Sequence, residues 1–329
     1  MTEKQDVFIL AEINPSKKPT SLTLELLGSG KKLAADLGTK FSVLLLGNDL
    51  SMAAQDLARY GAEEVLFLDD PILEPYDPEI YTGALTAFLG ARPPFALLAG
   101  HTSLGQDLLP RLAFAMDCGL VTDCVGMQAD GGDILFTRPI YGGNALATQK
   151  ASTVKVMATV RARVGEAPSP SETAGAVSAL EAKLPAASRL NIKGREVLSA
   201  RECPLEEAPV VVSGGRGIGG EEGFEQLGKL ARLLGGAVGA SRPPVDSGWA
   251  PNTCQVGITG KVVAPDIYIA VAISGSTQHL SGMGEAGKIV AINKDPEAFI
   301  FKVSDYGVVG DWKQVLPAFT AALTELVKE

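Results

Sequence analysis

Apolar residues come in short runs separated by polar turns. Residues 6–11 (DVFILA), 41–46 (FSVLLL), 64–68 (EVLFL) and 94–99 (PFALLA) are strand-length runs without alternation, as expected for strands covered on both faces. Between them, residues 21–37, 52–60 and 78–89 place Leu and Ala at helical steps, and Gly100-His101-Thr102-Ser103 opens a further helix to about residue 117. Strand and helix alternating at this spacing predict a parallel, doubly wound sheet.

From Val121 the pattern changes to successive β-rich pieces, DILFTRPIY, NALATQK and VKVMATV, which extend the first sheet or add a small β layer. Residues 164–187 are rich in Ala, Pro, Ser, Glu and Gly and read as a surface excursion or linker. The expected domain boundary lies near residue 200, giving an N-terminal α/β domain (1–200) and a smaller doubly wound domain (201–329). In the second, strands are expected at 209–212, 237–240, 267–273 and 289–292. A helix carries Phe224, Leu227, Leu230, Ala231 and Leu234 on one face, and a last helix starts near Asp311 as N-cap, with Pro317 inside it.

The chain has 329 residues, too long for one ordinary core. Its hydrophobic content of 46% and its 37 glycines suit parallel sheets with glycine-rich turns. A net charge of −9, with Lys and Arg scattered, excludes a nucleic-acid footprint. No uninterrupted apolar run approaches the roughly 18 residues of a membrane helix, and the N-terminus carries no targeting pattern, so a cytoplasmic protein is expected. Cys118, Cys124, Cys203 and Cys254 lack metal or redox spacing and read as buried or incidental thiols; no metal site is expected.

The candidate chemistry collects at strand ends of the second half. Gly215, Gly217 and Gly220 fit a dinucleotide fingerprint between a strand and a helix, with Arg216 placed for a pyrophosphate. The fingerprint also needs an acidic residue about 20 positions on; Ser241 and Arg242 stand there instead, which argues against NAD and leaves an NADP-dependent oxidoreductase as one reading. The Arg242 guanidinium can also stack on a conjugated ring. Ser274-Gly275-Ser276-Thr277-Gln278-His279 follows a buried strand, and His279, one of two histidines, is placed to stabilise negative charge on a ligand. His101 has no Gly-rich loop or Arg beside it and reads as structural. Asn293 either satisfies a turn or reads ribose or pyrophosphate oxygens. Asp311 and Trp312 follow at the same edge.

Together these stretches resemble the electron transfer flavoprotein alpha subunit (FixB) family. Residues 214–311 carry GGRG, GASRP, VDSGW, ITGKVVAP, YIAVAISG, QHLSGM, VAINKDPEAFIF and DYGVV in family order, while LLAG, LLPRLA and RPIYGGNAL carry a looser likeness in the first half. The resemblance implies two doubly wound, mostly parallel-sheet α/β domains, the C-terminal one a Rossmann-like FAD-binding domain, and an N-terminal domain that packs with a β subunit. It implies an electron carrier, not a free-standing enzyme, working between acyl-CoA dehydrogenase-type donors of fatty acid oxidation and a quinone oxidoreductase. By position, Arg216, Ser241 and Arg242 belong to the FAD site. Val256, Gly257, Ile258 and Thr259 run along the flavin, with Thr259 at its N5 edge. Ser274, Gly275, Ser276, Thr277 and Gln278 line the phosphates and ribityl chain, and His279 faces the pyrimidine carbonyl edge. Asn293, Asp311 and Trp312 flank the adenosine half.

Arg242 over the ring and His279 at the carbonyl are then expected to favour a negatively charged reduced flavin. One position departs from the family: Ile258 stands where Gln is usual, so an amide contact is lost. A bifurcating complex, whose β subunit carries a second FAD and oxidises NADH, is a further reading that this chain leaves open.

Overall fold

The structure is a computed structural model that describes residues 6–143, 145–180, 184–185, 188–193 and 204–326. The chain divides into two compact units, one drawn from Met1–Ile140 and Ala145–Glu196, the other from Tyr141–Asn144 and Val197–Glu329. The boundary expected near residue 200, Cys203 and Val327 lie outside the described residues.

The first unit is built on strands β1 (Val7–Ala11), β2 (Phe41–Gly47), β3 (Glu64–Asp69), β4 (Ala96–Gly100) and β5 (Gly119–Cys124) and on helices α1 (Ser21–Leu37), α2 (Ser51–Leu57), α3 (Pro78–Ala91) and α4 (Ser103–Ala115). The β-rich stretch does both things its pattern allowed. Strands β6 (Gly126–Asp130), β7 (Asp133–Ile140) and β8 (Ala145–Lys150) form a separate antiparallel sheet, whereas β9 (Val156–Val160) inserts between β4 and β5. The 164–187 stretch is not only a surface excursion: β10 (Ala176–Ala179) adds a parallel edge strand beside β3. Its largely exposed, small side chains hide it from a hydrophobic pattern. The main sheet has order β10-β3-β2-β1-β4-β9-β5, with every pairing parallel.

Side chains alternate along a strand, and here both sets are buried. Val7, Ile9 and Ala11 join α1 and α2 in one core. Phe8 and Leu10 point the other way into a second core with α3 and α4. Thr20 caps α1 by accepting from Thr23 N–H at 3.1 Å, and Thr102 caps α4 by accepting from Gly105 N–H at 3.1 Å.

The second unit repeats the plan on a smaller scale. Strands β11 (Val210–Gly214), β12 (Ala237–Ala240), β13 (Ile267–Val271), β14 (Lys288–Asn293) and β15 (Tyr306–Val309) form an all-parallel sheet in the order β12-β11-β13-β14-β15. Helix α5 (Glu221–Leu233) and the last helix, α8 (Trp312–Leu326), cover one face through Phe224, Leu227, Leu230, Trp312 and Leu316. The other face is covered by short segments carrying Val256, Ile273, Met283 and Ile300 around Tyr268. Those segments include the loops at the carboxyl ends of the strands, so the same residues close a core and frame the edge. The double winding is complete in both units.

Candidate functional site

Five parallel strands bring all their carboxyl ends to one edge, which is where open α/β sheets take ligands. Every residue singled out in the second half lies on this edge or on a segment fastened to it.

After β11, Gly215 N–H donates to the Val271 carbonyl at 2.9 Å, and the chain turns through a single 3₁₀ turn (Arg216–Ile218) before α5. A Cβ on Gly215 would run into the Ala272 backbone, with Ile273 Cα at 2.8 Å, so the first glycine is needed for close approach between two strand ends. Around Gly220 a Cβ would meet nothing within 4 Å, so the third fingerprint glycine has no packing duty here. Arg216 and Gly217 are exposed. Trp312 Nε1–H donates to the Gly217 carbonyl at 3.1 Å, which ties the glycine turn to the start of α8. Asp311 accepts from Lys313 N–H at 3.0 Å as the expected N-cap.

After β12, Ser241 precedes a helical turn, α6 (Arg242–Asp246). Pro243 and Pro244 fit because the first turn of a helix has no acceptor for their missing N–H groups. Arg242 keeps 66% of its side chain exposed and pairs with Asp246 at 3.3 Å, a loose surface contact of little energy.

The next two loops are laced together. Ile258 N–H donates to the Gln278 carbonyl at 2.8 Å, and Val256 N–H donates to the Ala240 carbonyl at 2.9 Å. Gly257 has φ 141°, and a Cβ there would stand 2.7 Å from the Gln278 carbonyl oxygen. Thr259 Oγ1 accepts from Gln255 Nε2–H at 3.0 Å, which leaves its own proton available. The ends of β12 and β13 and the 256–259 loop are therefore one construction. Ile258, Thr259, Ser274, Ser276, Thr277 and Gln278 are exposed on it, while Gly275 is buried and Ile300 N–H donates to the Ser274 carbonyl at 3.0 Å.

Two residues have their polar groups occupied within the fold. Asn293 Nδ2–H donates to the Ile273 carbonyl at 2.9 Å, and its Oδ1 accepts from Asp295 N–H at 3.0 Å. Of its two readings, the amide serves the turn. His279, in the short helix α7 (Thr277–Leu280), is 4% exposed. Nε2 lies 2.9 Å from the Tyr268 hydroxyl and Nδ1 lies 3.1 Å from the Val256 carbonyl oxygen. Both ring nitrogens therefore have partners inside the protein. Burial pulls its pKa down to about 4 against the raising effect of the Val256 carbonyl, so at neutral pH the ring is uncharged.

Tyr268 and Gln255 are the contributors that sequence reasoning missed. Tyr268 hides in the apolar run YIAVAI, where its hydroxyl is the sole signal, and Gln255 precedes the loop with nothing to mark it.

The first unit's edge also holds polar residues. Arg161 grips Asp123 through two hydrogen bonds of 2.5 and 3.0 Å, and His101 sits 2.8 Å from Thr159 Oγ1 and 3.4 Å from Asp123. Thr102 donates to Glu12 at 2.7 Å. Burial pushes Glu12 up to about 6, with the Thr102 hydrogen bond opposing, and burial likewise lowers His101. Among the described residues no three His, Cys, Asp or Glu side chains converge as a metal site, and no helix is long and apolar enough to cross a membrane. Burial raises the thiols of Cys118 and Cys124, the latter to about 12.

Residues 7–185 match the family described as "Electron transfer flavoprotein domain", and residues 204–284 match "Electron transfer flavoprotein FAD-binding domain". The chain is 43% identical to "Protein FixB" of Clostridium saccharobutylicum, over 99% of this chain and 98% of that one. It is 40% identical to "Electron transfer flavoprotein subunit alpha" of Thermoanaerobacterium thermosaccharolyticum, over 99% and 100%, and 38% identical to the protein of that name in Bacillus subtilis, over 97% and 98%.

Proposed function

Since the chain belongs to the electron transfer flavoprotein alpha-subunit family, we propose that its second unit holds FAD across the carboxyl edge of β11–β15 and that it serves as one half of a two-subunit electron carrier. The observation that supports this most is the lacing of the 256–259 and 274–279 loops beside Ser241. It leaves Arg242, Thr259 and Gln278 exposed on a fixed frame. The donor set suits the cofactor. A close-packed glycine turn with Arg216 at the start of α5 suits a pyrophosphate. Hydroxyls at 274–277 suit phosphate and sugar oxygens, and a guanidinium suits a conjugated ring.

When bound, FAD supplies the one- and two-electron chemistry; the chain binds it, orients it and sets the charge around it. Arg216 and Arg242 are exposed cations at that edge. Asn293 and Trp312 act by fixing the loops at Ile273 and Gly217. The partners we propose are a β subunit, packing with the first unit, together with acyl-CoA dehydrogenase-type donors and a quinone oxidoreductase. The proposed location is the cytoplasm.

The test is the cofactor content of the full chain co-produced with its β subunit. FAD is expected to copurify, with no stoichiometric NADP. A colourless complex that binds NADPH tightly overturns the reading. Adding NADH separates the two carrier types: one FAD without bleaching marks a plain carrier, and two FAD with bleaching mark a bifurcating complex.

A further inference from the structure

Beyond β10, residues 184–185 and 188–193 are the last described part of the first unit, and the next described residue is Pro204 in the second. They lie along α3. Leu184 packs on the core that α3 shares with α4. A Cβ on Gly83 would stand 2.5 Å from Pro185 Cγ. Glycine weakens a helix interior; here it makes room for the proline.

One turn back toward the helix start, Glu79 is gripped by the same stretch. Its Oε2 accepts from Arg189 N–H at 2.9 Å and from the Ser188 hydroxyl at 3.3 Å. Its Oε1 accepts from Arg189 Nε–H at 2.8 Å, with Nη2 at 2.6 Å. Ser188 Oγ in turn accepts from Leu190 N–H at 3.0 Å. Leu190 and Ile192 then line a cavity of about 210 Å³ with Ile72, Pro75 and Ile80. Glu79 and Gly83 are four residues apart, which puts both on one face of α3. The hydrogen bonds from Arg189 hold the Glu79 carboxyl below the ordinary carboxylate range, and a negative charge is favoured in the first turn of a helix. The fastening is nevertheless open to water: the Arg189 side chain is 92% exposed, so solvent competes for each of its bonds.

We propose that residues 184–192 are a strap fastened to α3 at Gly83 and Glu79, and that the Glu79–Arg189 clasp is its release point, which sets the longest reach between the two units. With the strap closed, the length of chain from Ile192 to Pro204 bounds that reach at about 40 Å. With it open, the last fastened residue is Leu180, whose N–H donates to the Phe67 carbonyl at 2.7 Å. The bound then rises to about 85 Å. The inference stands apart from the flavin reading, because none of these residues belongs to the proposed cofactor site.

Trypsin cuts after Arg189 only when the flanking chain leaves α3, so the cleavage rate at the Arg189–Leu190 bond reads the open fraction. In the full chain co-produced with its β subunit, Glu79→Ala is expected to raise that rate roughly tenfold over the parent, with cuts inside the second unit unchanged. Gly83→Ala is expected to raise it too, although alanine strengthens a helix, because the added methyl group displaces Pro185. Small-angle scattering of the uncut Glu79→Ala complex is expected to show distances beyond the parent's maximum. A parent cut as fast as both variants overturns the inference, since the strap is then not fastened. Faster cleavage with a scattering profile that matches the parent's overturns the clasp's part in reach. Should Glu79→Ala fail to assemble, Gly83→Ala decides by the same two measurements. A complex lacking FAD defeats the flavin reading and leaves the strap result standing.

Discussion

Both units carry a parallel sheet whose strands end together at one edge, and both edges hold charged and hydroxylated residues. In the first unit these answer one another: Arg161 closes on Asp123, His101 is held by Thr159 beside that pair, and Thr102 donates to Glu12. In the second unit the charges stay in solvent, with Arg216 exposed and Arg242 in a loose pair with Asp246. There most of the internal hydrogen bonds join backbone to backbone, or buried side chain to backbone, so they shape the loops and leave most of the exposed groups unpaired. The two edges thus differ less in possessing polar residues than in leaving them unanswered on a rigid frame.

The contrast predicts opposite responses to mutation. Asp123→Ala strands the Arg161 guanidinium, whose side chain is 10% exposed. It should lower the stability of the first unit by about 3 kcal/mol while FAD per complex is unchanged; denaturant unfolding and flavin absorbance measure the two. Loss of flavin with stability intact would invert the comparison.

Acid and base should also act on the two units with opposite sign. His279 is uncharged when folded, with a pKa of about 4 against 6.5 unfolded. Its contribution is present above pH 6.5 and lost as pH falls toward 4, a change of about 3 kcal/mol. Glu12 is raised from 4.5 to about 6, so its contribution is present below pH 4.5 and lost as pH rises through 6, about 2 kcal/mol. Hydrogen exchange followed separately in β1 and β13 from pH 4 to 8 should show the two trends crossing, and Glu12→Gln should flatten the first.

Smaller effects sharpen the picture. Trp312→Phe removes the N–H to the Gly217 carbonyl; about 1 kcal/mol of stability and a severalfold weaker hold on FAD are expected, read by thermal unfolding and cofactor titration. Arg242→Ala should change stability by less than about 0.5 kcal/mol and yet alter the flavin's reduction behaviour in a stepwise titration more than its binding.

Most of the fold was legible because buried strands announce themselves as uninterrupted apolar runs and helices as Leu and Ala at regular steps. The omissions share one cause. β10 and β15 are four-residue edge strands with mostly exposed side chains, too short to show the uninterrupted apolar run by which the other strands were read. The placement of Ser241, Arg242 and Gln278 beyond strand ends was readable. The internal wiring of the edge was not, because the partner of His279 is a tyrosine 11 positions earlier in an apolar strand. The Glu12, His101 and Asp123 cluster was equally hidden, its members scattered across the first unit until the sheet aligns them.

The indole of Trp312 fastens a turn nearly 100 residues before it, through the hydrogen bond to Gly217. During synthesis the glycine turn therefore emerges long before its anchor. A chain halted at Asp311 possesses every loop of the edge but lacks both the anchor and the helix that, with α5, covers one face of the second sheet. The edge proposed to hold FAD is consequently a late product of translation, and a ligand that favours the finished edge also selects for chains whose last helix has docked.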